Sequence, residues 1–292
     1  MVFRREWGEV GLVEGIRDKS REVALAKGRL KILPVAAELT LAQEWKSTLW
    51  EVQLSALGND ILPARYLRNY GTVGMAGQKN LLQSCVAIIG AGGLGGWIIE
   101  LLARMGVGRL VVVDGDSFED SNLNRQNLAT LGNLGTAKAV AARRRAAEIN
   151  GAVTVKGHAT WLTEDNAREI LKPAQVVVDA LDNVPTRFIL QDAARELGIP
   201  LIHGAIAGYQ GQVTTIFPGD AGFKILYPGA GEGPTRGTEV TLGTPAATPP
   251  MVASWQVQET VKIILGQGET LRHRLLYLDA LSGTAEVLHL PG

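Results

Sequence analysis

The chain has 292 residues, enough for one full α/β core with an appendage, and its 29 basic residues balance its 29 acidic ones. That neutrality excludes a global field drawing nucleic acid or an anionic membrane surface, so any partner has to be recognised locally. MVFRREWGEV carries no apolar signal segment, the most apolar run is broken by glycines and Glu100, and one cysteine excludes both an internal disulfide and a four-cysteine zinc site, which makes cytoplasm the expected compartment.

Residues 1–60 read as a mainly helical N-terminal extension. LVEGIRDKSREVALAK and AAELTLAQEWKSTLWEVQLSALG have helix-like composition, and GRLKILP between them reads as strand or loop. Trp45 and Trp50 are expected to pack this segment on the rest of the chain, with a partner-facing role as the alternative. Residues 61–292 read as a second unit in which V-rich strands alternate with helices. Strands are expected at 86–89, 110–114, 153–156 and 176–179, and helices at 97–105, 136–150, 164–171 and 185–197. Strands without in/out alternation predict a Rossmann-like, mostly parallel, doubly wound sheet buried on both faces. IPLIHGAIAG, QGQVTTIFP, RLLYLDA and TAEVLHL follow with short connections and predict an antiparallel extension of that sheet. Between Pro218 and Pro250 lies a loop dense in Gly, Pro and Thr, and a helix at 254–265 follows it.

Chemistry concentrates in residues 86–126. VAIIG reads as a strand and GAGGLGG as a tight turn into a helix, with Gly90, Gly92 and Gly95 in GxGxxG spacing and Gly93 inside it. Such glycines let backbone approach a phosphate, and the helix N-terminus offers unpaired N–H groups to the anion. Asp114 ends the next strand about 20 residues on, where a carboxylate can hold a ribose hydroxyl. The loop alone indicates only a nucleotide, since NAD, FAD and ATP proteins share it. Asn122, Arg125 and Gln126 in SNLNRQ add donors just past the acidic strand end, where a dehydrogenase needs no fixed cation for a polyphosphate. Both VVVD runs end in acid, which places Asp114, Asp116, Asp179 and Asp182 on one rim of the sheet.

RYLRNYG, GAGGLG, VVVDGDSFEDSNLNRQ, the GTAK turn at Gly135, VVVDALDN, IHGAIAGYQGQVTTIFPG and LYLDA together resemble the MoeB/ThiF/HesA family, relatives of the ubiquitin-activating enzymes. The resemblance implies ATP-dependent adenylation of the C-terminal glycine of a small ubiquitin-like sulfur carrier with a Gly-Gly tail, as in molybdopterin or thiamine biosynthesis. It implies that Gly90, Gly92, Gly93 and Gly95 cradle the nucleotide and that Asp114 takes the ribose. Arg125, Gln126, Asn122 and Lys138 would face phosphate, and Asp182 would hold Mg²⁺. It further implies a homodimer in which Arg68 reaches the partner subunit's ATP, although Asn69 stands where the family usually has glutamine. The 218–250 stretch corresponds to the crossover loop that often carries a capturing cysteine, and here it has none. Cys85 beside a core strand reads as packing, so activation is expected to stop at the acyl-adenylate.

Each site residue keeps a bland alternative at this stage. Asp182 or Asn183 could be only an N-cap before Pro185, Lys138 a solvated helical lysine and Arg68 a surface arginine. Arg143, Arg144 and Arg145 read as a solvated face, and His203 as a hydrogen-bonded core histidine. A NAD-dependent oxidoreductase and a catalytically silent nucleotide-binding module also remain open, whereas a nucleic-acid partner is disfavoured by the neutral charge.

Overall fold

The computed structural model describes residues 2–26, 28–229 and 239–291. The N-terminal segment differs from its expected pair of helices. Helix α1 (Val2–Lys19) stops before Ser20, whose hydroxyl donates to the Arg17 carbonyl, and the following REVA forms strand β1 (Arg21–Ala24), antiparallel to β2 (Arg29–Leu33). Gly28, at φ +93°, serves the turn between them. The second expected helix is two: α2 (Val35–Glu44) and α3 (Leu49–Gly58). Lys46 at φ +51° breaks the run, and Thr48 opens α3 with a capping box to Glu51, a T-x-x-E signal present in the sequence. Strand β3 (Leu62–Pro63) runs parallel to β2 and carries this small sheet past residue 60.

Helix α4 (Tyr70–Gln83), not foreseen from sequence, is kinked at Gly74, and its glycines conceal its helical character. Then come β4 (Cys85–Ile89), α5 (Gly93–Met105), β5 (Arg109–Val113), α6 (Lys138–Ile149), β6 (Thr154–His158), α7 (Glu164–Leu171), β7 (Val176–Asp179) and α8 (Val184–Leu197). After them follow β8 (Leu201–Ala207), β9 (Gln210–Ile216), the short helices α9 (Phe223–Leu226) and α10 (Glu239–Leu242), α11 (Thr248–Leu265), β10 (Arg274–Asp279) and β11 (Thr284–His289). α11 begins earlier than its expected start because Thr248 and two prolines fill its first turn, where missing N–H groups cost nothing. Residues 230–238 of the 218–250 loop lie outside the described residues.

The main sheet has eight strands in the order β11-β10-β9-β8-β7-β4-β5-β6. Strands β6, β5, β4, β7 and β8 are parallel, and β8 through β11 pair antiparallel, so the expected architecture holds. Alternate residues of each parallel strand feed opposite cores. Val86, Ile88, Val112 and Val178 pack towards α5, α6 and α11, while Ala87, Ile89, Val113 and Val177 pack with residues of α7 and α8. Burial on both faces explains strands that are apolar at every position.

Glu100, buried on α5, receives Arg104 at 2.7 Å, Arg145 of α6 at 3.2 Å and the Asn127 amide at 3.2 Å. Arg145 is thereby a structural partner and not part of a solvated arginine face. Burial pushes the Glu100 carboxyl up, but the hydrogen bonds and charges of Arg104 and Arg145 outweigh it and hold the group below the usual glutamate range. With the folded value depressed, this stabilisation is complete above the unfolded value near pH 4.3 and is lost as pH falls through the folded one. Glu100→Gln should cost about 1–3 kcal/mol at neutral pH, leaving two guanidinium groups short of an anion. In urea denaturation followed against pH, the gap between the two proteins should close below about pH 4.

Candidate functional site

The chain order β4-β5-β6 runs outward on one side, and β7 returns to pair with β4 on the other. The crevice outside the strand ends at this reversal is where ligands of open α/β sheets bind. Two loops meet there. Gly90 at φ +100° is pressed on the loop after β7, because a Cβ at this position would sit 2.5 Å from the Ala180 carbonyl oxygen. Gly95 is held by the helix return, since a Cβ would overlap the Gly90 carbonyl. Gly92 and Gly93 therefore begin α5 with no side chain between its N–H groups and the crevice. The Asp114 carboxylate pins this arrangement, accepting from the Ala91 N–H at 2.7 Å and the Asp116 N–H at 2.8 Å. Burial pushes its carboxyl up against those two hydrogen bonds.

A cavity of about 540 Å³ opens over this point, within the range typical of small-molecule sites. Its lining includes Gly90, Gly92, Gly93, Asp114, Arg125, Gln126, Lys138 and Asp182, so most of the expected site converges. It extends from Trp161, just beyond β6, to Tyr277 on β10. Those strands are six places apart, a span on the order of 25–30 Å at ordinary strand spacing. Such a trough is long enough for a nucleotide and an extended segment laid end to end. Along its β8 and β9 side the lining mixes the small residues Ala205, Ala207 and Gly211 with Ile206 and the amides Gln210 and Gln212.

The cations sit on one flank. Lys138, the first residue of α6, is 6% exposed, and its ammonium lies 3.1 Å from Asp116. A buried cation at a helix N-terminus opposes the helix dipole, and Asp116 offsets that charge at the cavity wall. The Arg125 guanidinium donates to the Ser121 carbonyl at 2.7 Å and to Asn124 Oδ1 at 3.0 Å, which fixes it at the cavity wall. Gln126 is buried, and its Oε1 has no hydrogen-bond partner among the described residues.

On the opposite flank the capping question resolves. Asn183 caps α8 by accepting from the Thr186 N–H at 3.0 Å, and the Asp182 carboxylate remains exposed in the cavity. Among the described residues it has no hydrogen bond or ion pair, and no three His, Cys, Asp or Glu side chains form a metal cage. One open carboxylate beside a phosphate cradle suits Mg²⁺, which keeps waters and phosphate oxygens as its other ligands.

Four expected positions fall elsewhere. Gly95 lies behind the cavity lining, packed on the Gly90 carbonyl. Asn122 does not line the cavity; its Oδ1 accepts the Glu119 N–H and its carbonyl the Gln126 N–H, so it shapes the turn that delivers Arg125 and Gln126. Arg68 is exposed after the 3-10 turn Ala64–Tyr66 and stands outside its own subunit's cavity. Asp179 lies beneath the rim, fully buried, receiving Arg187 Nε at 3.2 Å, His203 Nδ1 at 2.7 Å and the Leu181 N–H at 2.9 Å. His203 is a hydrogen-bonded core histidine as expected; burial pushes its pKa down against the pull of Asp179, leaving a neutral ring. Arg187 was missed from sequence. Its Nη2 donates to the Leu181 carbonyl at 2.6 Å and so fixes the loop that carries Asp182, and its Nη1 donates to Tyr227. An arginine four residues beyond the N-cap, one helical turn above a buried strand-end Asp, was the available signal.

The sequence pattern of the ThiF family matches residues 66–291. The chain belongs to the ThiF family. It is 42% identical over 216 residues to the SAMP-activating enzyme E1 of Haloferax volcanii, covering 74% of this chain and 80% of that protein. It is 39% identical over 218 residues to the sulfur carrier protein adenylyltransferase of Thermus thermophilus, covering 73% and 80%. Adenylyltransferase and sulfurtransferase MOCS3-1 of Zea mays is 34% identical over 250 residues, covering 82% of this chain and 53% of that longer protein. Among solved structures, the fold is shared with PaaA (TM-score 0.66, 19% identity, covering 94% and 99%). It is shared too with E. coli MccB bound to AMPCPP and MccA (TM-score 0.67, 18% identity, covering 88% and 80%).

The division of labour at the start of α8 gives a direct test. Asn183→Ala should cost about 1 kcal/mol of stability through the lost cap, whereas Asp182→Ala should change it by less than about 0.5 kcal/mol. Chemical denaturation of the two variants checks the order, and equal losses would assign both residues to the cap.

Proposed function

We propose that this ThiF-family adenylyltransferase uses ATP and Mg²⁺ to adenylate the C-terminal carboxylate of a small ubiquitin-like sulfur carrier, releasing pyrophosphate. The observation that carries the reading is one continuous cavity that brings the glycine loop, Arg125, Lys138 and the open carboxylate of Asp182 together and runs on along β8 and β9. Beside Ala205 and Ala207, which leave room for backbone, the Gln210 and Gln212 amides offer hydrogen-bonding groups that suit an extended tail without side chains. The names of the Haloferax and Thermus relatives support a carrier as substrate. With the family established, the oxidoreductase alternative loses its motive, because the cations beside the glycine loop have no task in hydride transfer.

In the reaction a carboxylate oxygen of the tail attacks the α-phosphorus of ATP. The new P–O bond forms as the bond to the bridging oxygen of the β-phosphate breaks, and pyrophosphate leaves without any proton transfer. Two anions have to be brought together, so positioning and charge compensation dominate. Arg125 and Lys138 meet the phosphates, the α5 N-terminus takes their oxygens, and Asp114 holds the ribose. Asp182 would hold Mg²⁺, which would supply further neutralisation of the phosphate charge. Cys85 is 2% exposed, and burial pushes its thiol pKa up, both contrary to a nucleophile. The 218–250 loop has no cysteine, so the acyl-adenylate is the product handed to a separate sulfur donor or amine. Arg68, exposed and outside the lining of its own cavity, acts on the partner's ATP in a homodimer.

Asp182→Ala and Arg125→Ala should each reduce carrier-dependent ATP–pyrophosphate exchange about 100-fold or more with the fold intact. Wild-type exchange in either variant would remove that residue from the mechanism. Arg68→Ala alone should also lose exchange, and mixing it with Asp182→Ala should restore part of it, because hybrid dimers contain one site with both groups. A fully active monomer would contradict the trans role.

A further inference from the structure

Trp161 carries an indole that is largely open to solvent. It is 61% exposed, although burial of so large an apolar ring is the rule, and yet its backbone is fixed: the Asn166 amide donates to the Trp161 carbonyl at 2.9 Å, and the next residue, Leu162, is buried in the core. Its ring lies over Gly115. A Cβ there would stand 2.5–2.9 Å from three atoms of the indole, so only glycine allows the ring this position. Gly115 directly follows Asp114, and Trp161 lines the same cavity. The other cavity-lining aromatics among the described residues, Tyr227 and Tyr277, belong to the β8–β10 side.

We propose that Trp161 is the stacking platform for the nucleobase and the residue that makes the site prefer purine triphosphates. The proposal rests on the adenylation reading, which places the ribose at Asp114. A base joined to that ribose lies at the β6 end of the trough, next to an aromatic face whose position is set by a fixed backbone and a glycine floor. Stacking is sequence-tolerant but scales with ring size, so it favours adenine and guanine over cytosine and uracil.

In ATP–pyrophosphate exchange, Trp161→Ala should raise the KM for ATP about tenfold or more while kcat stays within about threefold, and Trp161→Phe should recover most of the loss. The preference for ATP over CTP should shrink in the alanine variant. ATP should quench tryptophan emission in the wild type and not in Trp161→Phe. Gly115→Ala, which displaces the ring without removing it, should reproduce the KM effect. An unchanged KM for ATP in Trp161→Ala overturns the stacking role, as does a KM change confined to the carrier, which would mark Trp161 as a protein contact. A wild-type protein that binds no ATP and shows no exchange would instead overturn the adenylation reading, so the two failures are separable.

Discussion

The active rim depends on backbone contact between two loops that no side chain may enter. Gly90 rests on the Ala180 carbonyl, and Gly95 returns onto the Gly90 carbonyl. The Asp114 carboxylate then spans from Ala91 to Asp116, tying the glycine loop to the exit of the neighbouring strand. Each contact moves the N-terminus of α5 and the acidic strand ends into register. A methyl group at Gly90 or Gly95 would separate the loops, and with them the phosphate cradle from Asp182. The same carboxylate that can hold a ribose thus holds the loop that can hold the phosphates, which preorganises both before any ligand arrives.

Beneath the opposite flank a buried charge does similar work. Asp179 is inaccessible and receives three donors, from Arg187, His203 and the Leu181 N–H. A further hydrogen bond ties its own carbonyl to Gln256 of α11. Burying a carboxylate is costly unless it is paired, and Arg187 supplies the charge while fixing the Leu181 carbonyl. The exposed Asp182 is therefore carried on a loop held from below. The neutral His203 ring passes this order outward, since its Nε2 faces Gln212 at 3.2 Å and the Tyr227 hydroxyl at 3.3 Å, both on the cavity wall.

The parallel sheet, its antiparallel extension and the gathering of Gly90, Asp114, Arg125 and Asp182 were legible in the sequence because each rests on short-range pattern, whereas Lys138 was placed by the family resemblance. Strand ends gather by topology alone, so residues far apart in the chain could be placed on one rim. What was missed depends on tertiary context. REVA reads as helix from composition until β2 pairs with it, and α4 is obscured by glycines whose helix is held by packing on α3 and α11. Asp179 and Asp182 look alike in VVVDALDN, and only burial separates the support from the open ligand. Trp161 carries no local signal, because its meaning comes from Gly115, forty-six residues earlier and across a strand pair.

The N-terminal segment lies largely ahead of the family match, yet it bears on the site. Tyr66, two residues before Arg68, is fully buried and joins three elements: its hydroxyl donates to Gln53 of α3 at 2.9 Å and accepts from Asn150 after α6 at 2.9 Å. Gln53 in turn donates to the buried Glu38 of α2 at 2.8 Å, and Asn150 reaches the Ala103 carbonyl of α5. Burial pushes the Tyr66 hydroxyl up to about 12, so it remains a neutral donor at any working pH. Arg65 adds a bond to the Ile149 carbonyl, and Trp50 another to Leu82. The turn that presents Arg68 is therefore anchored to the nucleotide-binding core from one side and to the appended helices from the other. The Arg68 side chain itself is exposed, so its placement comes from the backbone beneath it. The extension supplies half of that backbone's anchors, so the turn that bears Arg68 is tied to residues 1–60 as firmly as to the nucleotide-binding core.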